Sequence, residues 1–273
     1  MTNSCTEAPI PDRHAELTTL LRTLKLPTMA DTFAALALKA AKAALTHEAF
    51  LYELVQGEVA QRDQRRTARL LRQSGLPLEK TFRTLELVGH FPPTIRQQVE
   101  RLRQGTFVDE AVNVLAVGKP GTGKSHLAAA LGHALVQRGH RVLWTPTASL
   151  VQRLLAAKRD LRLPHFLAQL DRYGCLILDD IGYVQHDRDE MEVLFTLLSE
   201  RYERKSVIIT TNLVFSDWTR IFKDPMTTLA AIDRVVHHSV ILDLMGMESF
   251  RAKAAASQLA TGPPNRPALI AVE

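Results

Sequence analysis

The most explicit chemistry in the chain lies in eight residues, Gly118-Lys119-Pro120-Gly121-Thr122-Gly123-Lys124-Ser125. They fit G-x-x-x-x-G-K-[ST], in which glycines let the backbone curl so that successive N–H groups converge on phosphate oxygens. A helix beginning at the loop turns its positive end to the same place. Lys124 is then expected to reach the β- and γ-phosphates of ATP and Ser125 to ligate Mg2+, with His126 next in the same cradle. A second signature is the apolar run Cys175-Leu176-Ile177-Leu178 closed by Asp179-Asp180. A strand buried on both faces delivers a carboxylate at its C-terminal end, so Asp179 is expected to hold Mg2+ through water, and Asp180 can polarise the attacking water. Asn212, after the run Ser206 to Thr211, is either a turn former or an amide that orients that water. Arg234 is either a surface ion-pair residue or a finger that reaches a neighbouring subunit's γ-phosphate. His237 and His238 are adjacent rather than one helical turn apart, with no further Cys or His cluster, which argues against a metal site there.

The elements that must position these residues alternate along the chain. From Val112 short apolar runs and amphipathic stretches take turns: strand 112–117, a helix to Gln137, strand 141–145, a helix capped by Thr147, strand 175–178, a helix from Arg188 to Glu203, strand 206–211 and strand 239–243. That order implies an α/β fold with a mainly parallel sheet and helices on both faces. The chain before it reads as all-α. Residues 1–13, with Pro9 and Pro11, form a flexible leader; Leu17, Leu20, Leu21 and Leu24 share one helical face; and Pro27 opens a second helix through Met29, Phe33 and Leu36. Thr46 caps a long third helix that Gly75 and Pro77 stop, and Pro93 to Leu102 is a short basic helix. The expected organisation is a leader (1–13), a helical DNA-binding module and linker (14–107), a nucleotide-binding core (108–255) and a disordered tail (256–273).

Charge is concentrated rather than averaged. The net charge is only +5, but between Arg62 and Arg103 ten Lys or Arg face four Asp or Glu. Arg62, Arg65, Arg66, Arg69 and Arg72 recur at three- and four-residue steps, on one helix face. Such a face is either solvated surface or a grip on phosphates; few aromatics interleave with it, which favours duplex backbone contacts over stacking on single strands. Lys158, Arg159 and Arg162 make a second cationic strip. Two cysteines are too few for a disulfide framework and the polar start offers no signal-peptide core, so a cytoplasmic, reducing compartment is expected. No uncharged stretch reaches the roughly 18 residues of a membrane span.

Beyond these signatures, Leu178-Asp179-Asp180-Ile181-Gly182-Tyr183, Leu198-Ser199-Glu200-Arg201-Tyr202-Glu203-Arg204, Thr210-Thr211-Asn212 and Asp233-Arg234-Val235-Val236-His237-His238 closely resemble IstB, the transposition helper ATPase of insertion sequences. The resemblance covers roughly residues 14–255. It implies an AAA+ ATPase related to the helicase loader DnaC and the initiator DnaA: an ATP-dependent homo-oligomer with shared ATP sites, bound to duplex DNA, that helps a partner transposase choose and use its target. It also implies Asn212 as the first sensor, Arg234 as the finger and Arg251 as a second phosphate sensor. The chain departs from the pattern in Val88 to Glu110, in Phe250 where Tyr is expected, and in a nearly absent lid after Asp243. A DnaC-like helicase loader is the alternative within the fold. A P-loop kinase for a small acceptor does not need Asn212 and Arg234 in this arrangement, nor the arginine helix.

Overall fold

A computed structural model describes residues 13–85, 90–182, 188–218 and 225–250. Most of the expected leader and all of the expected tail, with Arg251 and Tyr183, lie outside the described residues. The chain divides into two compact units, one up to Arg69 and one from Leu70.

The first unit contains α1 (Arg13–Thr23), α2 (Pro27–Lys42) and most of α3 (His47–Ser74). Pro27 begins α2 because its missing N–H is one that a helix start leaves unbonded anyway. The Thr46 hydroxyl accepts the Ala49 N–H at 3.2 Å, the expected cap of α3. Leu26 precedes α2 and has no polar side chain to cap it, so another helix supplies the acceptor: Glu58 of α3, 3% exposed, accepts the Met29 N–H at 3.0 Å. Leu21, Met29, Ala30 and Leu54 form the buried centre, with Leu26, Phe33, Leu36 and Phe50 around it.

The second unit is built on a five-stranded, all-parallel sheet in the order β2-β3-β4-β1-β5, where β1 is Asn113–Val117, β2 Val142–Pro146, β3 Cys175–Asp179, β4 Ser206–Thr211 and β5 Ser239–Asp243. Its strands alternate between two cores. Val114, Ala116, Cys175, Ile177 and Ile208 pack with α4 (Pro93–Leu102) and α6 (Lys124–Gln137) on one face. Leu115, Val117, Leu176, Leu178 and Ile209 pack on the other with α7 (Thr147–Arg159), α9 (Arg188–Arg201) and α10 (Pro225–Val236). Both faces are covered, which is why these strands read as continuous apolar runs. Leu70, Leu76, Leu85, Phe91, Ile95, Val99 and Phe107 belong to the first of these cores, so these residues, placed on sequence in the helical module and linker, pack with the sheet.

Two helices were not foreseen, α5 (Thr106–Asp109) and α8 (Leu163–Leu170), and Arg234 lies in the last turn of a third, α10. Thr147 is not a cap: Pro146 holds that position, Thr147 is the first helical residue, and its hydroxyl donates to the Asp179 carbonyl at 3.0 Å. No helix among the described residues is long and apolar enough to cross a membrane.

Candidate nucleotide site and cationic surfaces

The parallel order brings three strand ends together. β1 leads into the glycine loop, β4 beside it ends at Thr211, and β3 beyond β4 ends at Asp179. The Gly118 N–H donates to the Thr211 carbonyl at 3.1 Å and ties the loop to the end of β4. Gly121 and Gly123 have φ of 85° and 93°, where a side chain would be strained. Gly123 is the N-cap of α6 and offers no side chain to bond the first helical N–H groups, which suits an anion at that end. Lys124 is buried, and its Nζ donates to the Lys119 carbonyl at 2.8 Å; the Thr122 hydroxyl donates to the same oxygen at 2.9 Å. Ser125 and His126 follow in the first turn, half-buried.

Across the β4 end stand the acids. One hydroxyl orders both: Thr210 Oγ1 donates to Asp179 Oδ1 at 2.6 Å and accepts the Asp180 N–H at 2.8 Å. Asp180 has φ 63°, which breaks the strand alternation and leaves it exposed beyond the strand end. The Ser125 hydroxyl and the Asp179 carboxylate are hard oxygen donors, the kind Mg2+ takes. Asn212 is the most informative of the expected residues. Its Oδ1 is buried with no hydrogen-bond partner, and a Cβ on Gly182 would sit 2.6 Å from it. A buried acceptor without a partner costs about 1–3 kcal/mol, so its place at the loop end of β4 fits a site that is completed by a ligand or its water.

Sequence reasoning missed one wall of the site. A cleft of about 390 Å3 at the loop is lined by Lys80, Thr84, Leu85 and Phe250 as well as Gly123 and Lys124. His126 Nε2 lies 3.1 Å from both the Thr81 carbonyl and Thr84 Oγ1, and burial, seconded by the charge of Lys80, lowers its pKa from the ordinary 6.5. Phe250 donates its N–H to the Gly121 carbonyl at 2.9 Å and stacks on His90 with 3.4 Å between ring centres. The only signal was Phe250 standing where Tyr was expected; residues 80–85 follow no periodic pattern.

Arg234 is engaged within the chain. Its Nη1 donates to Ser199 Oγ at 2.9 Å and its guanidinium lies 4.6 Å from the Phe195 ring centre, both on α9. The cationic surfaces are more mixed than their spacing suggests. Arg62, Arg65, Arg66, Arg69 and Arg72 are all exposed, yet Arg62 donates to the Lys25 carbonyl at 2.9 Å and faces Glu58 at 3.6 Å, and Arg65 donates to Thr28 Oγ1 at 3.3 Å. On the core, Lys158 is held by Glu192 at 2.9 Å and Asp189 at 3.3 Å, which raises its pKa, while Arg159 and Arg162 are exposed.

Residues 19–258 match the family model described as IstB-like ATP binding protein. The chain belongs to this IstB-like ATP-binding family. Membership makes it an ATPase of the AAA+ P-loop class, and the insertion-sequence relatives agree with a helper role in transposition. An insertion sequence ATP-binding protein of Sinorhizobium fredii is 42% identical over 242 residues, covering 88% of this chain and 80% of that one. The ATP-binding protein of insertion sequence IS21 from Pseudomonas aeruginosa is 41% identical over 239 residues, covering 87% and 89%. Among solved structures, AMPPCP-bound DnaA from Aquifex aeolicus superposes with a TM-score of 0.53 at 17% identity, over 69% of this chain and 57% of that chain, a likeness of fold.

Proposed function

We propose that this IstB-like protein is an ATP-dependent, DNA-binding transposition helper that assembles on target duplex DNA and promotes target selection and transposase activity, acting in the cytoplasm. The observation that carries the reading is the convergence at three neighbouring strand ends of an uncapped glycine loop, two acids ordered by one threonine, and an amide oxygen without a partner. In this reading the loop amides and Lys124 take the phosphates of ATP. Ser125 and Asp179 hold Mg2+, whose charge offsets that of the phosphates. Asp180, freed from the strand alternation, draws the proton from the attacking water, and Asn212 Oδ1 accepts a hydrogen bond that orients it. Arg234 leaves Ser199 to serve a neighbouring subunit's site, and Arg251 senses the phosphates. The exposed arginines of α3, with Arg159 and Arg162, contact duplex phosphates.

Nucleotide-dependent assembly on duplex DNA tests this. With a non-hydrolysable ATP analogue, electron microscopy should show large assemblies on duplex, and fluorescence anisotropy should show tighter binding to duplex than to single strands of equal length. Assembly that ignores the analogue, or a preference for single strands, would replace the helper reading with that of a helicase loader.

A further inference from the structure

The adjacent histidines gain a third partner from the fold. α9 ends at Arg201, and two residues later Glu203 stands in the left-handed region with φ 54°. A glycine takes that conformation at less cost, so the glutamate brings something other than backbone geometry. Far along the chain, α10 ends at Val236 and a two-residue turn, His237-His238, leads into β5. In a strand, neighbouring side chains point to opposite faces; in this turn they do not diverge, and the two rings meet edge to face with 4.5 Å between centres. His238 Nε2 lies 3.3 Å from Glu203 Oε1. One ligand atom from each of Glu203, His237 and His238 falls within 4.8 Å of the other two, and all three side chains are exposed. Tyr202 places its hydroxyl 3.5 Å from His237 Nδ1, in position to orient that ring.

We propose that Glu203, His237 and His238 form a surface site for a divalent transition-metal ion of the zinc class. Two imidazoles and a carboxylate are a donor set that Zn2+ takes, with a fourth position left to water or to a group from a partner. Donors around a tetrahedral zinc stand about 3.3 Å apart, so the present spacing needs to contract by about 1.5 Å at most, within reach of exposed side chains. An ion there ties the end of α9 to the turn after α10. Those are the two helices already joined by Arg234 and Ser199.

The test uses the full chain without an affinity tag, stripped of metal and titrated with Zn2+ by calorimetry. The wild type should bind one equivalent saturably, and His237→Ala, His238→Ala and Glu203→Gln should each weaken binding about tenfold or more, while His165→Ala, at an exposed histidine of α8, leaves it unchanged. Co2+ provides a second readout: the wild-type complex should show intense tetrahedral ligand-field absorption, lost in the histidine variants, and far-UV circular dichroism should show all variants folded. A smaller loss in any of the three, an equal loss in His165→Ala, or Co2+ absorption that persists without the histidines would overturn the site. Zn2+ binding reads only these residues, so it is independent of whether the ATP and DNA reading holds.

Discussion

The two units of the chain bury apolar residues on different scales. The sheet unit seals both faces of its three central strands, and Leu115, Leu127, Leu131, Leu176 and Ile177 are fully buried. The helical unit has four buried residues at its centre and leaves Leu24, Leu38 and Tyr52 about two-thirds exposed. Polar ties do correspondingly more in it: Glu58 caps α2, Arg62 binds the Lys25 carbonyl just before that helix, and Arg65 binds the Thr28 hydroxyl in its first turn. A rigid platform suits groups that must meet a phosphate within tenths of an ångström. A thinly packed bundle opens locally at low cost, which suits a surface that adapts to a large, irregular ligand.

The largest effects should fall on the platform. Lys124→Ala should lower ATP affinity by at least about 100-fold, because the cation for the β- and γ-phosphates is removed, whereas Asp180→Asn should keep ATP binding and lose hydrolysis. Equilibrium binding of a fluorescent ATP analogue beside steady-state phosphate release separates the two; wild-type turnover in Asp180→Asn would mean that another acid activates the water.

Next comes stability. Arg201 is 3% exposed, its guanidinium donates to the carbonyls of Leu170, Tyr173, Gly174 and Ser206, and burial depresses its pKa to about 10. Arg201→Met removes the guanidinium donor from all four carbonyls, of which Leu170 keeps the Tyr173 N–H, and should cost about 3–5 kcal/mol in the sheet unit. Glu58→Ala removes one cap and should cost about 1–2 kcal/mol in the helical unit alone. Urea melts followed by hydrogen exchange show which unit each change loosens. If Glu58→Ala destabilises the sheet unit equally, the contrast between the units fails.

A third change sharpens the contrast at the surface. Arg65→Ala with Arg69→Ala should flatten the slope of log K against log salt on duplex DNA by about 1–2, with similar losses on unrelated sequences. The bond from Arg65 to Thr28 predicts some loosening of the helical unit as well, which the same melts would register. An unchanged slope would make the arginine face a solvated surface.

The smallest effect is a pH dependence. Burial lowers the pKa of His126, so below its ordinary 6.5 the unfolded chain takes up the proton first. Stability from this site is therefore full above about pH 6.5 and is lost as the pH falls through the lower folded value. His126→Gln should lessen the fall in melting temperature between pH 7 and pH 5; an unaltered fall would assign it to other groups.

Much of this was legible because the signals are local. The glycine loop, the strand closed by Asp179, the Thr46 cap and the α4 boundaries each depend on residues close in sequence, where backbone sterics and helix-end bonding act. The parallel sheet was legible too, because its central strands are buried on both faces and so appear as largely apolar runs. Long-range pairing decided the rest. Only the tertiary structure shows that Lys80, Thr84, Leu85 and Phe250 line the cleft at the glycine loop, that Lys158 is held by acids of α9, that Arg234 rests on Phe195 and Ser199, and that Glu203 meets two histidines more than thirty positions away. No spacing rule reports such contacts, since each depends on where a helix lands after its apolar face is buried. The sequence alone determined which chemistry the chain carries; the packing of the sheet and its helices decided which charged side chains are open to a ligand and which are held by the protein.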